Sequence, residues 1–145
     1  MKIVISSQAR LLNILRGAVT YRALRAGFTP SEAEHMTVAI NEAAANVIRH
    51  AYKNSGKGTV SLEIVTHPDR MVFILEDSAP KVQPSAIRSR PLDEIRPGGL
   101  GTFFINSYMD ECAFDEQCAE GNRLVMVKFF RGKVSTGDES TSSIQ

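Results

Sequence analysis

The chain has 145 residues, which at roughly 100 to 200 residues per domain is a single domain's worth. Its 17 Lys and Arg against 16 Asp and Glu leave a formal charge of +1, and 43% of the residues are hydrophobic; this disfavours collagen-like, wholly disordered and strongly basic nucleic-acid-binding classes. Two cysteines, Cys112 and Cys118, are too few for a disulfide framework, and with three separated histidines they make no zinc pattern. With no signal peptide and no run of 18 apolar residues, a reducing, cytoplasmic setting is expected.

In chain order, Lys2 to Ser6 reads as a short strand carrying Ile3, Val4 and Ile5. Leu11, Leu12, Leu15, Ala18 and Val19 then recur at helical spacing, predicting a helix from after Ser7 to near Gly27. Thr29, Pro30, Ser31 and Glu32 form a capping-box pattern, with the threonine hydroxyl facing an orphan N–H and the glutamate reaching back. The helix it opens runs to about His50 or Tyr52. Asn54 to Gly58 reads as a turn, and Thr59 to Thr66 and Arg70 to Glu76 as a hairpin closed by His67, Pro68 and Asp69.

No period survives from Asp77 to Gly98, where four prolines and Arg88, Arg90 and Arg96 make a loop long enough to expect a lid or binding segment. Gly98, Gly99, Leu100 and Gly101 open a third helix to about Met109. Two last strands, Glu111 to Phe114 and Arg123 to Phe130, flank a turn at Glu120, Gly121 and Asn122. From Gly132 the tail is Ser, Thr and Gly-rich and is expected to be disordered.

Three segments carry residue types suited to chemistry. Glu42, Asn46 and His50 follow one another at intervals of four on the second helix, and the first two offer a general base and an oxygen ligand for hard Mg²⁺; a solvated polar face is the other reading. Asp77 ends an apolar strand where a carboxylate meets a ligand amine or merely forms a turn. The glycines of 98–101 at a helix start expose N–H groups as a phosphate cradle, without the Lys and Ser/Thr of a P-loop, or serve only as a turn.

Taken together and in this order, the segments resemble the GHKL superfamily of ATPases and kinases, and within it the small anti-sigma-factor serine kinases. Asn41 to Tyr52 (NEAAANVIRHAY) matches the family's N box, Glu76 to Pro80 (EDSAP) its first glycine box and Gly98 to Gly101 (GGLG) its second. Met109 to Glu111 and Gly121 to Leu124 look like its closing segment. The resemblance covers residues 5 to 131 and implies one ATP-binding domain over 1–131. The implied fold is α/β (α+β), a two-layer sandwich of a mixed, mostly antiparallel sheet with helices on one face and an ATP lid between the glycine boxes.

Residue by residue, the resemblance implies Glu42 as general base, Asn46 as ligand of Mg²⁺ bridging the ATP phosphates, and Asp77 as acceptor for the adenine amine. Gly99, Leu100, Gly101 and Thr102 would close over the phosphates, and His50 would pack. Ala79 departs from the pattern, standing where the first glycine box has its glycine and narrowing the backbone angles available there.

The implied function is an ATP-dependent protein-serine kinase acting as an anti-sigma factor in partner switching. It would phosphorylate a serine of a STAS-type anti-anti-sigma antagonist and hold a sigma factor, with homodimerisation also implied and no direct contact with nucleic acid or membrane. The absence of a sensor or phospho-accepting histidine segment argues against a two-component histidine kinase. The alternative is a nucleotide-gated binding module without kinase turnover, which Ala79 keeps open while intact Glu42 and Asn46 favour the kinase.

Overall fold

A computed structural model describes residues 1–79, 105–115 and 120–131. Strand β1 (Lys2–Ser6) leads through a 3-10 turn at Ala9–Leu11 into helix α1 (Leu12–Ala26), with Gly27 left-handed behind it. Helix α2 (Pro30–Asn46) starts on the expected capping box: Thr29 Oγ1 accepts from Glu32 N–H at 3.1 Å and Glu32 Oε1 accepts from Thr29 N–H at 2.8 Å. Two of the four N–H groups a helix start leaves unpaired are thereby satisfied, and Pro30 has no N–H to satisfy.

The hairpin follows as β2 (Thr59–Thr66) and β3 (Arg70–Asp77), then β4 (Glu111–Phe114) and β5 (Asn122–Phe129). Residues 105–108 are helical and end where Met109 N–H reaches Ile105 O at 3.0 Å. The five strands lie in the order β1-β2-β3-β5-β4, and every pairing is antiparallel. The mixed, mostly antiparallel sheet expected from the sequence is thus antiparallel throughout the described residues. The last strand begins one residue earlier than its apolar pattern indicates, because Asn122 pairs with Asp77 at the end of the β3 ladder.

Alternation along the strands sets two faces. Val60, Leu62 and Ile64 of β2, with Met71, Phe73 and Leu75 of β3, are buried in one core with Leu15 and Val19 of α1 and Met36, Ile40, Ala43 and Ala44 of α2. The helices therefore cover one sheet face. Asp77 and Asn122 continue that face at the strand ends, by the same two-residue period. Between the helices, Thr20 and Thr37 share a hydroxyl hydrogen bond at 2.9 Å and Arg16 donates to Asn41 Oδ1 at 2.9 Å. Asn41, the first residue of the N-box match, is thus engaged in joining α1 to α2. Among the described residues no helix is long and apolar enough to cross a membrane.

Candidate functional site

The C-terminal half of α2 carries the first part of the site. Ala43, Ala44 and Ala45 are buried against the core, which leaves Glu42 and Asn46 half-buried along one ridge, one helical turn apart. Among the described residues the Glu42 carboxylate has no hydrogen-bond or ion-pair partner. Asn46 Oδ1 accepts from Arg49 Nη2 at 2.8 Å, while Arg49 Nε is buried with no partner. A carboxylate without a partner among the described residues, one turn from a carboxamide oxygen that accepts a hydrogen bond from Arg49, offers residue types suited to a base and, through the oxygen's second lone pair, to a metal ligand.

Beyond Asn46 the helix widens into a π turn, Val47–Ala51, closed by Tyr52 N–H to Val47 O at 3.0 Å and followed by Asn54 N–H to Ile48 O at 2.8 Å. Such a turn places more residues per revolution than an α-helix and shifts the side chains after it. Ile48 stays in the core, but His50 is carried out to solvent. The expectation that His50 packs is therefore corrected, as is its place on a common face with Glu42 and Asn46. Lys53 and Asn54 then turn the chain in the left-handed region, at φ 51° and 59°.

The second part is the end of β3. Asp77 Oδ1 accepts from Ala79 N–H at 2.9 Å and from Asn122 Nδ2 at 3.0 Å. Asn122 is only 7% exposed, and its amide also lies 3.5 Å from Ala79 O. Both donors use the same carboxylate oxygen, which leaves Oδ2 for a ligand donor. Burial pushes the Asp77 carboxyl above its ordinary value of 3.8, and the hydrogen bonds from Asn122 and Ala79 pull against that shift.

Gly121 passes directly over this strand end at φ +69°, so close that a Cβ built on it would sit 2.0 Å from Asp77 O. Only glycine fits both the angle and the space. Ala79 itself is 3% exposed and does not lie at positive φ; among the described residues Lys53 and Asn54 are the only non-glycine residues that do. The alanine therefore occupies the glycine-box position outside the left-handed region that would require a glycine.

The two parts are joined by Tyr52. Its hydroxyl donates to Thr59 O at 2.9 Å, accepts from Ser78 N–H at 2.7 Å and meets Ser78 Oγ at 2.8 Å. Tyr52 and Asn122 fall within the family-like segments of the sequence, but no local pattern gives either of them a part in the site. The signal that points to them is positional, since one ends the N box and the other faces Asp77 across the ladder. Gly99, Leu100, Gly101 and Thr102, with Arg88, Arg90 and Arg96, lie outside the described residues.

Among the described residues no group of three or more His, Cys, Asp and Glu is placed to hold a metal. Mg²⁺ keeps several waters and takes further ligands from substrate phosphates, so one carboxamide oxygen near one carboxylate fits an ion that arrives on a nucleotide. Cys112 is no candidate for reactive chemistry, because burial pushes its thiol up to about 11.

These features meet in one family. The family model of the histidine kinase-like ATPase domain matches residues 5–128, and the chain belongs to that family. Within it, the serine-protein kinase RsbW of Halalkalibacterium halodurans is 30% identical, covering 100% of this chain and 93% of the relative. The serine-protein kinase RsbW of Bacillus subtilis is 27% identical, covering 89% of this chain and 84% of its own. The histidine kinase domain of a blue-light-activated histidine kinase from Erythrobacter litoralis superposes with a TM-score of 0.53 at 12% identity; the match spans 83% of this chain and 59% of that one, and is a likeness of fold. The chain is a kinase-type ATPase domain, homologous over nearly its whole length to serine-protein kinases.

Proposed function

We propose that the chain is an ATP-dependent protein-serine kinase that serves as an anti-sigma factor in partner switching. The observation that carries this reading is the Glu42 carboxylate, without a partner among the described residues and one turn from the Asn46 oxygen, on a helix tied through Tyr52 to the strand end that presents Asp77 Oδ2. Asp77 accepts the adenine amine and so orients ATP with its triphosphate toward α2. Asn46 holds Mg²⁺, which when bound supplies charge neutralisation on the phosphates. Glu42 takes the proton of the attacking serine hydroxyl while the oxygen bonds to the γ-phosphorus and ADP departs. Little more than positioning and charge compensation is required for such a transfer.

The substrate is a serine of a STAS-type anti-anti-sigma antagonist. Phosphorylation adds about two negative charges to its docking surface and weakens the complex with the kinase, which then holds a sigma factor. The named relatives are serine-protein kinases, and they support this reading. The binding-only alternative draws on Ala79, which does not lie at positive φ; Glu42 and Asn46, both present in the N-box positions, favour the kinase.

The test is transfer of label from γ-labelled ATP, with Mg²⁺, to the cognate antagonist. Label on serine is expected, with a Glu42→Ala loss of about 10² to 10⁴ in rate at unchanged ATP affinity. Tight ATP binding with no transfer to any antagonist serine overturns the kinase assignment.

A further inference from the structure

Beyond Asp77 the chain leaves the sheet, and Ser78 and Ala79 are held by hydrogen bonds outside the strand ladder. The Tyr52 hydroxyl has one proton and two acceptor lone pairs. A carbonyl only accepts, so the proton goes to Thr59 O; the lone pairs then take Ser78 N–H and Ser78 Oγ–H. Every hydrogen-bonding capacity of this hydroxyl is used, and two of its three partners belong to Ser78. The ring is itself fixed: it lies so close to Gly58 that a Cβ there would come 2.1 Å from Tyr52 Cε1.

From Ser78 the path to Asp77 is one peptide long. The Ser78–Ala79 peptide carries the Ala79 N–H that binds Asp77 Oδ1, and this bond, together with the one from Asn122 Nδ2 to the same oxygen, decides which oxygen of Asp77 is left open. We propose that Tyr52 is a positioning residue for base recognition: by pinning Ser78 it holds Ala79 N–H on Asp77 Oδ1 and so keeps Oδ2 aimed at the exocyclic amine of adenine. The proposal rests on the reading of Asp77 as the adenine acceptor. It also gives the site a link from the N-box helix to the base, since Tyr52 closes the π turn that follows Asn46.

The experiment compares ATP with inosine triphosphate, which carries an oxygen where adenine has its amine, by calorimetric affinity in the full chain. The wild type is expected to prefer ATP, and Asp77→Asn to lose or invert that preference. Tyr52→Phe is expected to lower the ATP-over-inosine preference about fivefold, because water replaces part of what the hydroxyl supplied at this solvent-accessible edge. Inosine triphosphate affinity should change by less than about twofold in the same variant.

A tyrosine that merely supports the fold would weaken both nucleotides alike, and an unchanged preference in Tyr52→Phe with a lost one in Asp77→Asn overturns the proposal while leaving the Asp77 reading intact. A wild type without preference overturns both. Should Tyr52→Phe fail to fold, Ser78→Ala removes one contact of the three and is read the same way: a drop of about twofold supports the proposal and an unchanged ratio sinks it.

Discussion

Asp77 combines two demands that oppose each other. In the role proposed for it, its carboxyl must be buried enough to recognise a base, and that burial raises its pKa from 3.8 by disfavouring the charged form. A carboxyl whose folded-state pKa is raised favours folding most below its unfolded value, and this contribution is lost as pH climbs through the folded-state value. Asp77→Asn keeps an acceptor oxygen for Ala79 N–H and Asn122 Nδ2 but removes the charge. The variant should therefore gain stability relative to wild type as pH rises from below 3.8 toward neutrality, read as the difference between two urea or thermal titrations. Its ATP affinity should meanwhile fall by about 10-fold or more, because an amide N–H₂ now faces the adenine amine. At Gly121 both demands of geometry act together, and Gly121→Ala should cost about 2 kcal/mol or more, since φ +69° and contact with Asp77 O leave a methyl group no place.

At the level of elements, α2 is anchored at one end and deformed at the other. Thr29→Ala removes the acceptor for Glu32 N–H and should cost about 1 kcal/mol in chemical denaturation. Because the cap lies more than a dozen residues from Glu42, nucleotide affinity should stay within about twofold of wild type; a larger loss would mean that the cap sets the register of the catalytic ridge. The same helix shows what can be read from a sequence. Its start was legible because Thr29, Pro30 and Glu32 act locally, through bonds spanning three residues. Its π turn was not, because Val47 and Ile48 satisfy an α period equally well and the widening depends on Tyr52 closing onto Val47 O. His50 was misplaced for that reason. Glu42, Asn46 and Asp77 were legible as residue types in a particular order, whereas the roles of Asn122 and Tyr52 arise from ladder register and a contact 26 residues apart, which no local pattern records.

For the whole molecule, binding and turnover are separable through the linkage of nucleotide to folding. A ligand bound only by the folded state stabilises it by about 2.7 kcal/mol at a hundredfold excess over its Kd. For a chain of 145 residues that corresponds to a rise in Tm of about 5 to 10 °C. Wild type and Glu42→Ala should show the same rise with Mg·ATP, since a general base contributes to the transition state and not to ground-state affinity. Asp77→Asn should show little rise at the same concentration. Asn46→Ala should show one that no longer depends on Mg²⁺, because the nucleotide keeps its base contact but the protein has lost its carboxamide ligand. The four melting curves, taken with and without Mg²⁺, thereby assign base recognition, metal retention and proton transfer to three different residues. A Glu42→Ala variant that loses the nucleotide-dependent rise would place that carboxylate in binding and remove it from the role of base.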